Sequence, residues 1–320
     1  MESLLEVAQQ VAVLFVMMGV GAALRRLRML DDAAVGGMVN ILMFVVTPCV
    51  VVDCFQRPFD GAMLGGLGIA FAIATVGHAA LIAVAALCVR VRGEDTRRTL
   101  VLAAVFSNAG FMGLPLEQAI LGPRGVFFGA VYVVVFNLFI WSWGLWLMKG
   151  SAADGQGAGA RGLRRGDVRK MLLNPGTVGI ALGLPLFLLS VRLPTVVAAP
   201  VHHLSNLNTP LAMVAIGYSL AGARLGRVAR TGGVWVASAV RLLASPLVFV
   251  AMMFPFRQCL DADMMLALVI AASAPVAAMT SIFATKFHRD VDAGVAIVSG
   301  TTLASIATMP FVIAFAKSVL

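Results

Sequence analysis

The amino-acid sequence predicts an all-α integral membrane protein with ten transmembrane helices in a 5+5 inverted repeat. Three observations predict this fold: a strongly apolar composition, a regular alternation of basic loops, and helix breakers at matching places in the two halves. The chain has 320 residues, of which 60% are hydrophobic and 12% are charged. A soluble domain cannot bury so much apolar surface, so lipid is expected to solvate much of the chain.

Ten apolar segments follow one another along the chain, and each is close to the length of about 20 residues that a membrane-spanning helix needs. The predicted spans are residues 4–24, 35–55, 62–89, 99–121, 124–148, 173–191, 203–222, 233–254, 262–286 and 293–316. The first is anchored by the basic sequence RRLRML, and the third is long enough to tilt.

The lysines and arginines predict the orientation of these spans. Of the 24, 18 lie in the odd-numbered connections and 5 lie in the even-numbered connections and the termini. Because basic loops stay in the cytoplasm, the odd-numbered connections are expected inside and both termini outside.

The longest polar stretch, KGSAADGQGAGARGLRRGDVRK, divides the spans into five and five. Its small-residue start is typical of a flexible linker, and its basic end suits an anionic inner leaflet. The predicted units are a first repeat at 1–148, a cytoplasmic linker at 149–172 and a second repeat at 173–320. Since five is odd, the second repeat enters the membrane from the opposite side, as in many secondary transporters.

Helix breakers occur at equivalent places in the two halves. Span 4 contains SNAGFMGLP and span 9 contains AASAPVAAMTS, while spans 2 and 7 contain Thr47-Pro48 and Thr209-Pro210. Proline lacks an N–H and clashes with the carbonyl four residues back, so Pro115 and Pro275 are expected to interrupt spans 4 and 9. Unpaired backbone groups are costly in hydrocarbon, and these breaks are expected to face protein or water.

A break also creates a helix N-terminus at mid-depth, whose free N–H groups attract anions. Gly110 lets the chain leave helical geometry at low cost. Ser107, Asn108 and Ser273 add neutral hydrogen-bond partners. The sequence therefore predicts a polar anion pocket at the centre of the membrane. The alternative, that the breaks are kinks which only pack against neighbours, stays open.

Other polar residues lie within the spans. Arg241 is placed roughly 12 Å into span 8, where it could attract a substrate carboxylate, line the inner vestibule or hold backbone carbonyls. His78 in span 3 could carry a coupling proton or be a hydrogen-bonded structural residue. Asn208 shares the break of span 7 and is a candidate for substrate binding.

Several classes of function lack support. No acidic residue lies at either break, and Glu117 is predicted near the outer end of span 4, so a dry carboxylate for ion coupling is not evident. No metal site, cofactor motif or nucleophile–base set is visible, which argues against an enzyme. Despite the net charge of +9, the basic residues form no patch for nucleic acid.

The most specific pieces of sequence are SNAGFMGLPL in span 4, SAPVAAMTSIFA in span 9 and VVTPCVVVDCF in span 2. On these motifs, and over nearly its whole length, the chain resembles the auxin efflux carrier family, including bacterial members often described as malonate or malate permeases. The bile-acid sodium symporters share the broader fold. The resemblance implies an elevator-type or rocking carrier of the bacterial inner membrane, in which spans 4 and 9 unwind and cross and spans 2 and 7 complete the site.

The resemblance also implies roles for single residues. Asn108 would bind the substrate carboxylate, Pro275 would be the crossover proline of span 9, and Val51 and Asn208 would shape the rest of the site. Plant carriers have a proline directly before that asparagine, where this chain has Ser107, so the geometry of the span 4 crossover would depend on its glycines.

The expected function is secondary transport of small organic anions, either mono- or dicarboxylates, by alternating access. The alternatives are a sodium-coupled symporter of the bile-acid type and an anion-binding membrane receptor without transport. The coupling ion and the oligomeric state, a homodimer included, stay open.

Overall fold

The structure is a computed structural model that describes residues 2–149, 175–222 and 232–320. The predicted cytoplasmic linker, from residue 150 onward, and the three arginines of the seventh connection lie outside the described residues. Within the described ranges all regular structure is helical, apart from one isolated bridge between two residues. The helices are α1 Glu2–Arg26, α2 Asp32–Cys54, α3 Gly61–Cys88, α4 Glu94–Val105, α5 Ala109–Lys149, α6 Pro175–Leu188, α7 Thr195–Ser205, α8 Asn208–Ala221, α9 Gly232–Phe256, α10 Ala262–Ser273, α11 Met279–Lys286 and α12 Val291–Val319.

Five helices in the described ranges are long and apolar enough to cross a membrane: α2, α3, α5, α9 and α12. The protein is therefore an all-helical membrane protein. The ten-span count and the inverted repeat stay predictions.

Four aspartates fix where helices begin. Asp31, Asp60, Asp261 and Asp290 are the N-caps of α2, α3, α10 and α12, and each side chain accepts a hydrogen bond from a backbone N–H of the first turn. A cap of this kind stabilises a helix by about 1 kcal/mol. The caps mark the points where the chain turns back towards the apolar interior.

Helix α5 is a hairpin of two arms rather than one rod. The chain leaves helical geometry at Gly122 (φ 64°, ψ −156°), directly before Pro123. In a straight helix Glu117 and Gly129 would lie about 18 Å apart, yet a Cβ placed on Gly129 would lie 1.6 Å from Oε2 of Glu117. The first arm, 109–121, therefore packs against the second arm, 123–149.

Polar contacts between loops form two separate groups. In one, Arg289 pairs with Asp95 and donates to the carbonyl of Met148 at 3.0 Å, and the Thr96 hydroxyl donates to Asp290 at 2.6 Å. These residues belong to the third and ninth connections and to the end of span 5, directly before the fifth connection, and we call this end of the molecule the basic end.

The second group joins even-numbered connections at the opposite end. Arg124 pairs with Asp261 and also with Asp263 at 2.9 Å, and Gln56 accepts from the N–H of Leu193 at 2.8 Å. Odd-numbered connections thus contact odd-numbered ones, and even-numbered connections contact even-numbered ones. This is expected when successive spans cross the molecule in alternating directions.

Candidate functional site

The breaks in spans 4 and 9 are both present, and they pair with each other. Helix α4 ends at Val105 and α5 begins at Ala109, while α10 ends at Ser273 and α11 begins at Met279. Between them, Ser107 and Val276 form an antiparallel bridge. The N–H of Asn108 donates to the carbonyl of Pro275 at 2.7 Å, and the N–H of Ala277 donates to that of Phe106 at 2.9 Å. Each broken segment therefore provides hydrogen-bond partners for some of the backbone N–H and carbonyl groups of the other.

Arg241 donates to carbonyls at both of these helix ends. Its side chain is fully buried, and its guanidinium donates to the carbonyl of Val105 at 2.6 Å, to the carbonyl of Ala272 and to the hydroxyl of Ser245. Val105 is the last residue of α4, and Ala272 is the last but one of α10. A cation at helix C-termini also opposes the negative end of the helix dipole. Of the three roles that the sequence leaves open for Arg241, these contacts match the binding of backbone carbonyls.

A cleft of two neighbouring chambers lies beside the paired breaks. The chambers have volumes of about 180 and 140 Å³, and both are lined by Asn108, Phe111 and Ala278. Asn108 directly precedes the first turn of α5, and Ala278 directly precedes α11. The N-termini of two half-helices therefore border the same cleft.

Three of the residues singled out in the sequence line this cleft: Ser107, Asn108 and Gly110. Pro275 lies directly behind them, where its carbonyl holds the N–H of Asn108.

The remaining candidates lie elsewhere. Pro115 does not interrupt span 4 as predicted: it is buried within the first arm of α5, and the break lies at residues 106–108. Val51 is buried against Gly179 of α6. Asn208 lines a separate cleft of about 100 Å³ at the opposite end of the molecule from the basic end. The hydroxyl of Ser273 donates to the carbonyl of Ile270 at 2.8 Å.

His78 is buried in an aromatic cluster. Its Nδ1 lies 2.8 Å from the carbonyl oxygen of Ala74, and its ring stacks on Phe139 with centroids 5.4 Å apart. Tyr132 lies at a centroid distance of 4.9 Å. These contacts fit a structural histidine, and its role in proton coupling stays a prediction.

Glu117 requires a correction. The sequence places it near the outer end of span 4, but its side chain is only 1% exposed. The chain reverses at Gly122, between predicted spans 4 and 5, and brings Gly129 of the second arm against the carboxyl group of Glu117. The described residues thus include a dry carboxylate, which the sequence analysis did not find.

Several lining residues were not predicted as site residues: Phe111, Phe136 and Trp141 face the larger chamber, and Thr302 faces the smaller. Asn137, which the sequence allows either to bind substrate or to hold helices together, also faces the larger chamber. Asn137 is a polar residue within an apolar span, which was a usable signal, whereas nothing marks the aromatic residues as cleft residues rather than packing. Among the described residues, no group of three metal-ligating side chains is found.

Comparison with known proteins assigns the family. The family model for "membrane transport protein" matches residues 6–313. An uncharacterized transporter of Methanothermobacter thermautotrophicus is 28% identical over 232 residues, which are 71% of each chain. The matched region includes both breaks and the cleft between them. The chain therefore belongs to the membrane transport protein family, which is the auxin efflux carrier type of family.

Proposed function

We propose that the protein is a secondary carrier of small organic anions, mono- or dicarboxylates, and that it works by alternating access around the paired breaks. One observation carries the proposal: Asn108 lies at the N-terminus of a half-helix, inside a cleft, where two interrupted helices meet. An amide and free N–H groups at such a point bind a carboxylate without a fixed positive side chain.

The chemistry of the cleft supports an anionic guest of moderate affinity. None of the described residues that line the two chambers carries a charge. Two half-helix N-termini supply partial positive charge, and the guanidinium of Arg241 lies behind the paired breaks on the side of the helix C-termini. A guest held by partial charges can leave again, as a transport cycle requires.

The size of the cleft favours small acids. A cavity of about 150 Å³ holds one benzene ring, and the chambers measure about 180 and 140 Å³. Phe111, Phe136 and Trp141 add apolar walls that suit the carbon skeleton of a short acid. In the predicted orientation this cleft lies in the cytoplasmic half, and the cleft at Asn208 lies in the outer half.

The test is counterflow of labelled malonate, succinate and pyruvate in proteoliposomes that contain Asn108→Ala. A hydrogen bond to a charged group is worth about 1.5–3 kcal/mol, so we expect a loss of at least tenfold in apparent affinity. The matched control is Asn40→Ala, because Asn40 is exposed on α2 and its amide lines neither chamber. Counterflow by Asn108→Ala at the wild-type rate and affinity would contradict the assignment.

Two further arms of the assay separate the alternatives. In carriers with broken helices, Na⁺ is coordinated by carbonyls at half-helix C-termini, and here Arg241 already places a positive charge on those carbonyls. We therefore expect equal flux when choline replaces Na⁺. A requirement for Na⁺ would instead favour a bile-acid-type symporter. Binding of a probe acid without counterflow would favour an anion receptor.

A further inference from the structure

Glu117 is a buried acid that the transport site described above does not use. Its side chain is 1% exposed, and neither carboxylate oxygen has a hydrogen-bond partner among the described residues. A buried polar atom without a partner is rare in proteins and calls for a functional explanation. Transfer of an unpaired carboxylate from water into an apolar site costs far more than transfer of the neutral acid.

The carboxyl group occupies a slot that the sequence keeps open. A Cβ on Gly129 would lie 1.6 Å from Oε2, so only glycine at position 129 leaves room for the acid. On the other side, Oε1 lies 3.7 Å from the Cβ position of Gly113, and that position lies 3.4 Å from the Cα of Ala271. Ala271 belongs to the last turn of α10, directly before the break in span 9. The slot therefore adjoins the paired breaks.

The neighbouring elements offer the acid no described charge partner. The first arm of α5 has no second titratable residue, and the described part of α6 has none. Arg241, a fully buried arginine, uses both terminal nitrogens on the helix-end carbonyls and Ser245. The titratable residues of the second arm and of the other elements packed against α5 are Arg124, Tyr132 and Lys149 of the second arm, Glu2, Glu6, Arg25 and Arg26 of α1, Asp32, Cys49, Asp53 and Cys54 of α2, His78 and Cys88 of α3, Glu94, Asp95, Arg97 and Arg98 of α4, Tyr218 of α8, and Asp263 of α10.

Glu117 also lies between the two clefts. Leu114 and Gln118, within one turn of it, line the cleft at the opposite end of the molecule from the basic end. Asn108, nine residues earlier, lines the cleft beside the breaks. The first arm thus contributes residues to both clefts, and Glu117 lies between those residues in the sequence.

We propose that Glu117 is a proton-binding site that couples anion transport to a proton, an inference that rests on the proposed function. The carboxylate takes a proton from water on one side of the membrane and becomes a neutral acid in the Gly129 slot. After the cycle it returns that proton to water on the other side. A monocarboxylate would then cross with no net charge.

Electrostatics couples the two ligands. Asn108 and Glu117 are nine residues apart, which is at most about 13 Å along a helix. At an effective dielectric constant of about 20, two negative charges at that distance weaken each other's binding roughly tenfold. The anion therefore binds best when Glu117 is protonated, and the two are carried in the same direction.

The experiment compares the wild type with Glu117→Gln in proteoliposomes, with labelled malonate, succinate and pyruvate as probes. Glutamine is close in shape to the neutral acid and should keep the fold. We expect Glu117→Gln to retain counterflow at equal pH but to lose accumulation driven by a pH gradient. Asp263→Asn is the matched control, because it removes a half-exposed carboxylate on α10 and should retain gradient-driven accumulation.

Infrared spectroscopy tests the site without a substrate. At neutral pH we expect the wild type to show the carbonyl stretch of a protonated carboxylic acid that is missing from Glu117→Gln and present in Asp263→Asn. Absence of that difference would overturn the proton site. So would normal counterflow in Glu117→Gln with an unchanged response to the pH gradient. Absence of counterflow by the wild type for every probe acid would instead contradict the proposed function.

Discussion

At the scale of single residues, Arg241 shows how one cation can hold two interrupted helices together. Interrupting a helix leaves carbonyls without partners, and each such group costs about 1–3 kcal/mol when it is buried. Arg241 is fully buried and reaches carbonyls of both α4 and α10, which are separated from it by 136 and 31 positions in sequence. Its planar, forked guanidinium suits this bridging better than an ammonium group would.

We predict that Arg241→Gln lowers the free energy of unfolding by at least about 2 kcal/mol, because two buried carbonyls lose their donors. Arg241→Lys should have an intermediate effect, since one ammonium reaches fewer of these acceptors. Thermal unfolding of the purified protein in detergent measures both. The control is Arg257→Gln, an exposed arginine that rests on the ring of Phe254 and should change stability by no more than about 0.5 kcal/mol. Equal melting of Arg241→Gln and the wild type would contradict this role.

The sequence predicts whether such residues lie within a membrane span better than it predicts which residues they contact. It identified Arg241 as an intramembrane charge and Asn108 as the residue beside a break, because both signals are local. It could not choose among three roles for Arg241, since the deciding contacts come from other spans. It placed Glu117 near the end of span 4 but could not predict its burial, because that burial depends on the packing of Gly129 against it.

At the scale of helices, glycines set how closely neighbouring elements approach. Helices α1 and α8 pack side by side. A Cβ on Gly21 would lie 2.1 Å from the carbonyl oxygen of Val214, and one on Gly217 would lie 1.9 Å from that of Met18. Small residues at such points let backbones touch, which is a main source of attraction between helices in membranes.

The two glycines of α1 provide a matched pair of variants. Gly21→Ala should destabilise the protein by about 1–3 kcal/mol, because its methyl group meets backbone atoms that cannot move aside. Gly19→Ala, two positions earlier, should be neutral or slightly stabilising, since nothing lies within 4 Å of its Cβ position. Melting curves of the two variants would test this difference. If Gly19→Ala were as destabilising as Gly21→Ala, the close approach of α1 and α8 would not be the cause.

The helix breakers in the sequence indicated that spans 4 and 9 are interrupted, and Pro275 lies within the break of span 9. In span 4 the break lies at residues 106–108, before Gly110 and Pro115, which both lie within α5. The sequence could not reveal that residues 106–108 and 275–277 pair in an antiparallel bridge, since that pairing joins segments far apart in the chain. It also gave no sign that the N–H of Val276 would bond to the hydroxyl of Thr301 on α12.

At the scale of the whole molecule, the packing agrees with the proposed inverted repeat. In this repeat span 1 corresponds to span 6, and span 2 corresponds to span 7. A contact between spans 1 and 7 therefore predicts an equivalent contact between spans 6 and 2. The first pair is α1 with α8, and the second is α6 with α2; both pairs pack closely. Both contacts also use glycine, because a Cβ on Gly179 would lie 2.8 Å from the Cβ of Val51. The same exchange converts span 4 into span 9 and span 9 into span 4, and the breaks of these two spans pair with each other.

The predicted orientation can be tested with cysteines that the chain already contains. Cys88 and Cys259 are exposed, Cys54 is buried and Cys49 is partly buried. Cys88 ends α3 next to the basic third connection, and Cys259 lies in the eighth connection. Because 18 of the 24 lysines and arginines lie in odd-numbered connections, the positive-inside rule places Cys259 outside and Cys88 in the cytoplasm.

We expect a membrane-impermeant maleimide to label intact cells through Cys259, so that Cys259→Ser abolishes labelling and Cys88→Ser leaves it unchanged. After permeabilisation, Cys259→Ser should be labelled through Cys88. The opposite result would be that Cys259→Ser is still labelled in intact cells and that adding Cys88→Ser abolishes this labelling. That result would reverse the predicted orientation and would place the Asn108 cleft in the outer half.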